Sequence, residues 1–375
     1  LARWDGYRFR NYLPVPNDPN SLPDNYVMSL HKDAQGRLWI GTNGGGLAMY
    51  DHYNDRFVRV PVGEKGISHV TVNSITSDTQ GGLWLATRDG LNYYRPDTGE
   101  VKVYRKSDAG LHSNLVRTVT RDNQDTIWVG TSEGVVKINA KTHEMQRVPL
   151  PIPPNKVQRV VSICVGADGK VWIGTFDSGA FYITPEDPEP KPLMIQNPSS
   201  KNKEAMNENV FFIQKIADDE IWLGTYGRGI LVVNPQTLET RRMVHETNRQ
   251  SSLADNSVWS IMRDRSGLVW VGSQRGISIH GPSSRAIMSL FGGEERSHGL
   301  LGIDFFSAYG APDGRVWIGS QHRGVSILDP NSSSFRTINA DETRLQDALP
   351  QGAVFTIYPV GEKKVYIGTD KGMYV

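Results

Sequence analysis

A Trp-x-Gly-Thr or Trp-x-Gly-Ser tetrapeptide returns along the entire chain, and no other feature restricts its fold so strongly. Trp39-Ile40-Gly41-Thr42 is echoed at Trp84 (with Ala86 in the glycine position), Trp128, Trp172, Trp222, Trp270 and Trp317, and at Tyr366 with Tyr in place of Trp. Successive anchors lie 45, 44, 44, 50, 48, 47 and 49 residues apart. A period in the forties, with four short strand patterns per unit, is that of propeller blades. A unit this small buries its faces only against its neighbours, so the units must stack around an axis. The chain of 375 residues is therefore read as one domain, 1–375, rather than the two or three its length would suggest.

The first complete unit shows how the blade is written. Val27-Met28-Ser29-Leu30 has the alternation of an innermost strand. Asp33-Ala34-Gln35-Gly36 supplies turn chemistry, with an Asp that caps its own backbone and a Gly that tolerates positive φ. A second strand carries Trp39, a third covers Leu47-Ala48-Met49-Tyr50, and Arg56-Phe57-Val58-Arg59-Val60 closes the blade as its outer strand. Innermost strands are expected again at Val72, Val116, Val160, Val210, Val258 and Val354, with a looser match at Phe305. Helical periodicity is absent, so the fold class is all-β: a propeller of four-stranded antiparallel blades.

The ends bear on closure. Residues 1–9 read as a third and fourth strand without the first two, and residues 351–375 as a first, second and third strand without the outer one. The two remnants are expected to complete one blade, which gives eight. A seven-bladed ring with a stray segment is the competing arrangement. The start at Leu1 and the stop within a repeat read as a piece of a longer protein that continues at both ends.

Composition narrows the chemistry. Lys plus Arg (41) nearly cancels Asp plus Glu (40), so no global field favours nucleic acid, and no nucleic-acid partner is expected. Cys164 is the only cysteine, which rules out an internal disulfide. The nine histidines include no i, i+4 pair and no Cys/His cluster, so neither a metal site nor a cofactor is expected. The turn aspartates Asp33, Asp78, Asp122 and Asp264 lack the carboxylate density of a calcium loop and are read as turn caps. Asn25, Asn114 and Asn256, ahead of innermost strands, are read the same way. Residues 184–198 read as an ornamented turn and outer strand, with 199–209 as a loop.

Strand parity selects a face. In a four-stranded antiparallel blade, the loop after the second strand and the link to the next blade emerge on the same side. Their residues vary most between units, and variable loops on a rigid frame are where binding concentrates. The candidate ligand-binding residues are Arg88, Phe176, Tyr226, Arg228, Gln274, Arg275, Gln321, His322 and Arg323, a mixture suited to a polar, carbohydrate-like ligand through stacking and bidentate hydrogen bonds.

Residues 33–47, Asp-x-x-Gly-x-Leu-Trp-Ile-Gly-Thr followed by a glycine run and Leu, resemble the two-component regulator propeller repeat. The opening Trp4-Asp5-Gly6-Tyr7-Arg8-Phe9, followed by Asn20-Ser21-Leu22-Pro23-Asp24-Asn25, is similar to that family's first-to-second repeat junction. The resemblance implies a non-catalytic, periplasmic sensor region of a membrane-anchored bacterial receptor whose output is a histidine kinase or a diguanylate cyclase. It further implies a small-molecule or oligosaccharide ligand, neighbouring propeller and immunoglobulin-like domains, and a receptor dimer. The alternative from another class is a protein-interaction platform. A second is a propeller lyase resembling the streptogramin-inactivating enzymes, for which His322 and Glu133 are the nearest acid/base candidates.

Overall fold

The computed structural model describes residues 2–4, 9–108, 110–196, 202–246, 252–264, 267–281, 287–293, 300–301, 304–311, 314–329, 334–338, 352–360 and 364–374. Eight sheets, each with four antiparallel strands at its core, follow one another along the chain. Blade 1 runs from axis to rim through Val27–Lys32, Leu38–Thr42, Leu47–Asp51 and Arg56–Arg59. The second strands of blades 1 to 8 carry Trp39, Trp84, Trp128, Trp172, Trp222, Trp270, Trp317 and Tyr366 in that order. Each innermost strand packs on the next, and that of blade 8 packs on that of blade 1, so the ring closes with eight blades. One 3-10 turn, Lys106–Asp108, is the sole helical element among the described residues.

Both ends of the chain build blade 8. Val354–Val360, Lys364–Thr369 and Gly372–Tyr374 are joined by Phe9–Tyr12 as the outer strand. Ala2–Trp4 pairs with the outer strand (Ala2 opposite Asn11) and also with the second strand (Ala2 opposite Ile367). The third-strand position is thus shared between the two ends. Residues 5–8 of the opening motif lie outside the described residues.

Burial explains why the anchor is aromatic. Eight core clusters lie at the eight blade boundaries, and each holds one anchor against the blade that follows: Trp39 against Ile75 and Leu85, Trp84 against Val119 and Val129, and so on to Tyr366 against Leu38 and Ile40. All eight anchor rings are at most 6% exposed. Each indole removed from water contributes roughly 2–3 kcal/mol, so the boundaries rather than isolated blades carry the stability. The innermost strands are free edges toward the axis, and hydroxyls from the preceding blade help satisfy them. Ser29 Oγ donates to Val72 O (3.4 Å), Thr120 Oγ1 to Ile163 O (3.2 Å) and Ser307 Oγ to Val354 O (3.3 Å), while Ser162 Oγ accepts from Ile213 N (3.1 Å).

The turn aspartates hold the second strand to the first. Asp33 accepts from the Arg37 amide (2.9 Å) and from Trp39 Nε1 (2.8 Å). Asp78, Asp122 and Asp264 repeat both bonds in blades 2, 3 and 6, and in blade 5 Glu220 takes the indole N–H of Trp222 at 2.9 Å. Blade 4 has Gly166 at the Asp position, and there Trp172 Nε1 is buried without a partner.

The segment after blade 4's third strand departs from the sequence reading. Its outer strand is only Lys191–Pro192, and Met194–Gln196 pairs with Lys203–Ala205 as a separate two-stranded sheet. Part of the expected loop 199–209 is therefore strand, because its backbone pairs with the preceding segment while its side chains stay exposed. Residues 197–201 lie outside the described residues.

Candidate functional site

One bulge recurs in every blade and shapes the axial mouth. In blade 1, Val27 stands opposite Thr42 and Ser29 opposite Gly41, which leaves Met28 as an extra residue; all eight innermost strands shift register at this point. A bulge kinks a strand and re-aims one side chain. The bulged residues are Met28, Asn73, Arg117, Val161, Phe211, Trp259, Phe306 and Phe355, each half-buried. Neighbouring ones touch across blade boundaries: Phe211 lies 4.8 Å from Trp259 and Phe306 stacks on Phe355 at 5.2 Å.

The turns after the second strands dock onto these strands on the same face. Asn43 N donates to Tyr26 O (2.8 Å), Phe176 N to Arg159 O (2.9 Å), Tyr226 N to Asn209 O (3.0 Å), Gln274 N to Ser257 O (3.1 Å) and Gln321 N to Asp304 O (2.8 Å). The first residue of each turn is thereby held beside the residue that precedes the next-inward strand. Candidates and bulged residues thus share one mouth.

Of the nine predicted residues, Phe176 and Tyr226 are brought together. Both rings meet Phe211, edge to face, at 5.5 and 5.8 Å, and Tyr226 also lies 6.2 Å from Trp259. Tyr226 is 52% exposed, so this aromatic group faces solvent rather than belonging to the core. A second stack adjoins blade 1, where Tyr26 lies 4.8 Å from Phe355. Gln274 and Gln321 begin their turns on blades 6 and 7. Arg228, Arg275, His322 and Arg323 occupy turn tips and are exposed; Arg275 reaches Asp255 at 3.6 Å. Asp304, in the mouth of blade 7, has its carboxyl pKa raised by burial and by Asp255, against the lowering effect of His322.

Arg88 lies on blade 2, exposed, and donates to Asn43 Oδ1 at 3.3 Å. Phe176 carries the Arg159 guanidinium 4.8 Å above its ring. Sequence reasoning missed the whole bulged set, Arg117, Phe211 and Trp259 above all. Their strand patterns look regular, and only the register shift turns one strand residue into a mouth residue. The available signal was the second residue of each innermost strand, which varies from Met to Arg to Trp between a Val before it in seven blades and a Ser or Thr after it in seven.

The capping roles assigned to Asn114 and Asn256 hold: they accept from the amides of Lys106 and His245, each at 2.7 Å. Asn25 departs from this, with its Oδ1 buried and unpartnered. The residue at the matching place is Pro14, which has no N–H to give. The acid/base pair weighed for a lyase is not assembled. Glu133 sits on blade 3, bound to Lys106 at 2.8 Å, whereas His322 is on blade 7. Among the described residues no group of three or more His, Cys, Asp or Glu is placed to hold a metal, and no helix is long and apolar enough to cross a membrane.

Two hollows are lined by described residues. One, of about 540 Å³, follows the axis along the innermost strands of blades 2 to 5, past Ser74, Thr118, Ser162 and Phe212. The other, of about 610 Å³, lies between the Gly63–Gly66 link of blade 1 and the outer strand of blade 2. Neither is lined by any of the nine predicted residues.

Comparison with known proteins bears on this arrangement. Residues 21–44, 110–133, 153–177 and 252–275 match the family described as two component regulator propeller. No curated protein matches the chain in sequence. Among solved structures, the extracellular domain of a putative one component system from B. thetaiotaomicron is 20% identical with a TM-score of 0.51, over 98% of this chain and 52% of that one. PorZ, a surface component of the type-IX secretion system of Porphyromonas gingivalis, is 15% identical with a TM-score of 0.53, over 90% and 55%. Virginiamycin B lyase from Staphylococcus aureus is 13% identical with a TM-score of 0.52, over 80% and 92%. At these identities the likeness is one of fold. The chain spans about half the length of the extracellular domains from B. thetaiotaomicron.

Proposed function

We propose, from the premise that this chain carries two-component regulator propeller repeats, that it is the ligand-sensing, non-catalytic propeller of a membrane-anchored bacterial signalling receptor. In this reading the propeller stands on the extracytoplasmic side, and a histidine kinase or diguanylate cyclase elsewhere in the parent protein supplies the output. The B. thetaiotaomicron neighbour is described as the extracellular domain of a putative one component system, which supports the placement. The observation that carries the reading is the aromatic group at the mouth. Phe176, Phe211, Tyr226 and Trp259 touch one another on the variable face and belong to none of the core clusters. An exposed Tyr beside three half-buried rings on a rigid frame suits the apolar face of a sugar, and the surrounding Arg and Gln suit its hydroxyls.

Because the rings come from blades 4 to 6, a ligand lying on them bridges blades. It shifts a receptor equilibrium only by the difference in its affinity for the two receptor states. The ring moves as a body, since its boundaries are close-packed. Calorimetric titration of the chain with a panel of neutral and acidic oligosaccharides tests this. At least one member binds, and Trp259→Ala weakens it at least about tenfold while the far-ultraviolet spectrum is preserved. Binding that is indifferent to both Trp259→Ala and Phe211→Ala removes the mouth from consideration.

A further inference from the structure

The part of the mouth that adjoins the aromatic group is cationic, and among the described residues its charge is only partly offset by the protein. Arg117 is the bulged residue of blade 3, half-buried, with Arg88 from blade 2 and Arg159 from blade 4 beside it. Its Nε donates to Ser132 Oγ at 3.0 Å. Among the described residues no carboxylate comes within ion-pair distance of Arg117 or Arg88. The nearby acids are already engaged: Asp89 with Arg105 at 2.9 Å, and Glu133 with Lys106 at 2.8 Å. Asp177 stands a long 3.9 Å from Arg159. Burial, together with Arg159 and Arg88, pulls the Arg117 pKa below its ordinary value. Arg117, a half-buried guanidinium on a strand bulge with no carboxylate partner among the described residues and near enough to Arg159 and Arg88 to feel their charge, opposes the folded state unless an anion joins it.

The two parts of the mouth are continuous. The Arg159 guanidinium lies over Phe176 (4.8 Å), Phe176 meets Phe211 (5.5 Å), and Phe211 meets Trp259 (4.8 Å). A guanidinium fork matches a planar oxyanion, and an aromatic face matches a sugar ring. We propose that Arg117, flanked by Arg88 and Arg159, anchors an oxyanion, a carboxylate or a sulfate ester, carried by a saccharide whose ring lies on Phe211 and Trp259. The inference rests on the sensing reading above and narrows its ligand to acidic sugars.

The test is calorimetric titration of the 375-residue chain with digalacturonate, its methyl ester, a sulfated neutral disaccharide and the uncharged disaccharide. It is run on wild type, Arg117→Gln, Arg117→Lys and Trp259→Ala, at low and high salt. Digalacturonate or the sulfated sugar binds, and the two arms identify which oxyanion the site takes. The ester and the uncharged sugar bind far more weakly. Arg117→Gln lowers affinity roughly 30-fold or more, Arg117→Lys restores part of it, and salt weakens it. The unliganded Arg117→Gln chain melts no lower than wild type, since a cation crowded by cations has been removed. Acidic and neutral sugars that bind alike, lose affinity in Trp259→Ala and ignore Arg117→Gln overturn the anion site and leave the sensing surface standing. Absence of binding by either acidic sugar also overturns it, as does an Arg117→Gln chain that melts lower yet binds as before.

Discussion

The two faces of the disc are made by the same four-stranded unit, and they obey opposite rules. On one, the turn between first and second strands repeats the same bonds in four of the eight blades: Asp33, Asp78, Asp122 and Asp264 each hold a turn amide and an indole N–H. On the other, equivalent positions carry Arg88, Phe176, Tyr226, Gln274 and Gln321, and the bulged residues run from Asn73 through Arg117 to Trp259. The copied face satisfies buried groups and so is constrained by stability. The varied face holds exposed and half-buried cations and rings that belong to no core cluster, so stability depends less on what stands there. Regularity in a repeat protein marks what folds it, and departures on one face mark what it is folded for.

The largest effect expected to break this contrast is Asp78→Ala. It strips the bonds to Gly82 N and Trp84 Nε1 inside blade 2, and is expected to cost about 3 kcal/mol in chemical denaturation. Affinity at the mouth is expected to be unchanged. A cost below about 1 kcal/mol would mean that the copied face is not what holds the blades together.

A smaller, pH-dependent effect sharpens the same point. Burial lowers the pKa of His31, His112 and His143 from the ordinary 6.5, because the charged ring is poorly solvated where they sit. His143, for instance, lies 4.5 Å from the Tyr93 ring and 5.0 Å from Trp84. As the pH falls through 6.5 the unfolded chain binds protons that the folded chain does not. Stability is therefore full above that pH, declines below it, and levels off once the folded-state pKa values are passed. A denaturation series that is flat from neutral pH down through this window contradicts the assignment.

The smallest effect comes from adding what blade 4 lacks. Gly166→Asp offers Trp172 Nε1 the acceptor found in four other blades, and is expected to raise stability by about 0.5–1 kcal/mol. The new Cβ lies 2.6 Å from Asp168 Oδ1, a side-chain end that must swing aside. If thermal denaturation shows no gain, the displaced Asp168 carboxylate has cancelled the new bond.

Much of the fold was legible because a blade is written locally. Alternation, the Asp-x-x-Gly turn and the aromatic anchor all lie within one repeat; the anchor recurs eight times and the intact turn at Asp33, Asp78 and Asp264. Even the half-strands at the two ends showed that they belong together. Legibility failed where pairing was not local. Met194–Gln196 with Lys203–Ala205 forms a small hairpin that no repeat echoes. Asn25 lost its capping partner to Pro14, a residue eleven positions away. The candidate site was legible only in part: strand parity pointed to the loops that bear Phe176 and Tyr226, which the structure places beside Phe211, yet it assigned no role to Phe211, Trp259 or Arg117. A bulge is a property of two strands in register, and neither strand announces it alone.

Residue order alone dictates the blade, its anchor and its turns, since these follow from chemistry within a few residues of each other. Eight blades in place of seven follow only from ring closure, and the approach of Arg88, Arg117 and Arg159 follows from the packing of three consecutive blades. Closure depends on how much each aromatic wedge opens the angle between neighbours, and on strands from the two chain ends finding one sheet. Those are long-range packing outcomes, set by shape and register rather than by any local run of residues.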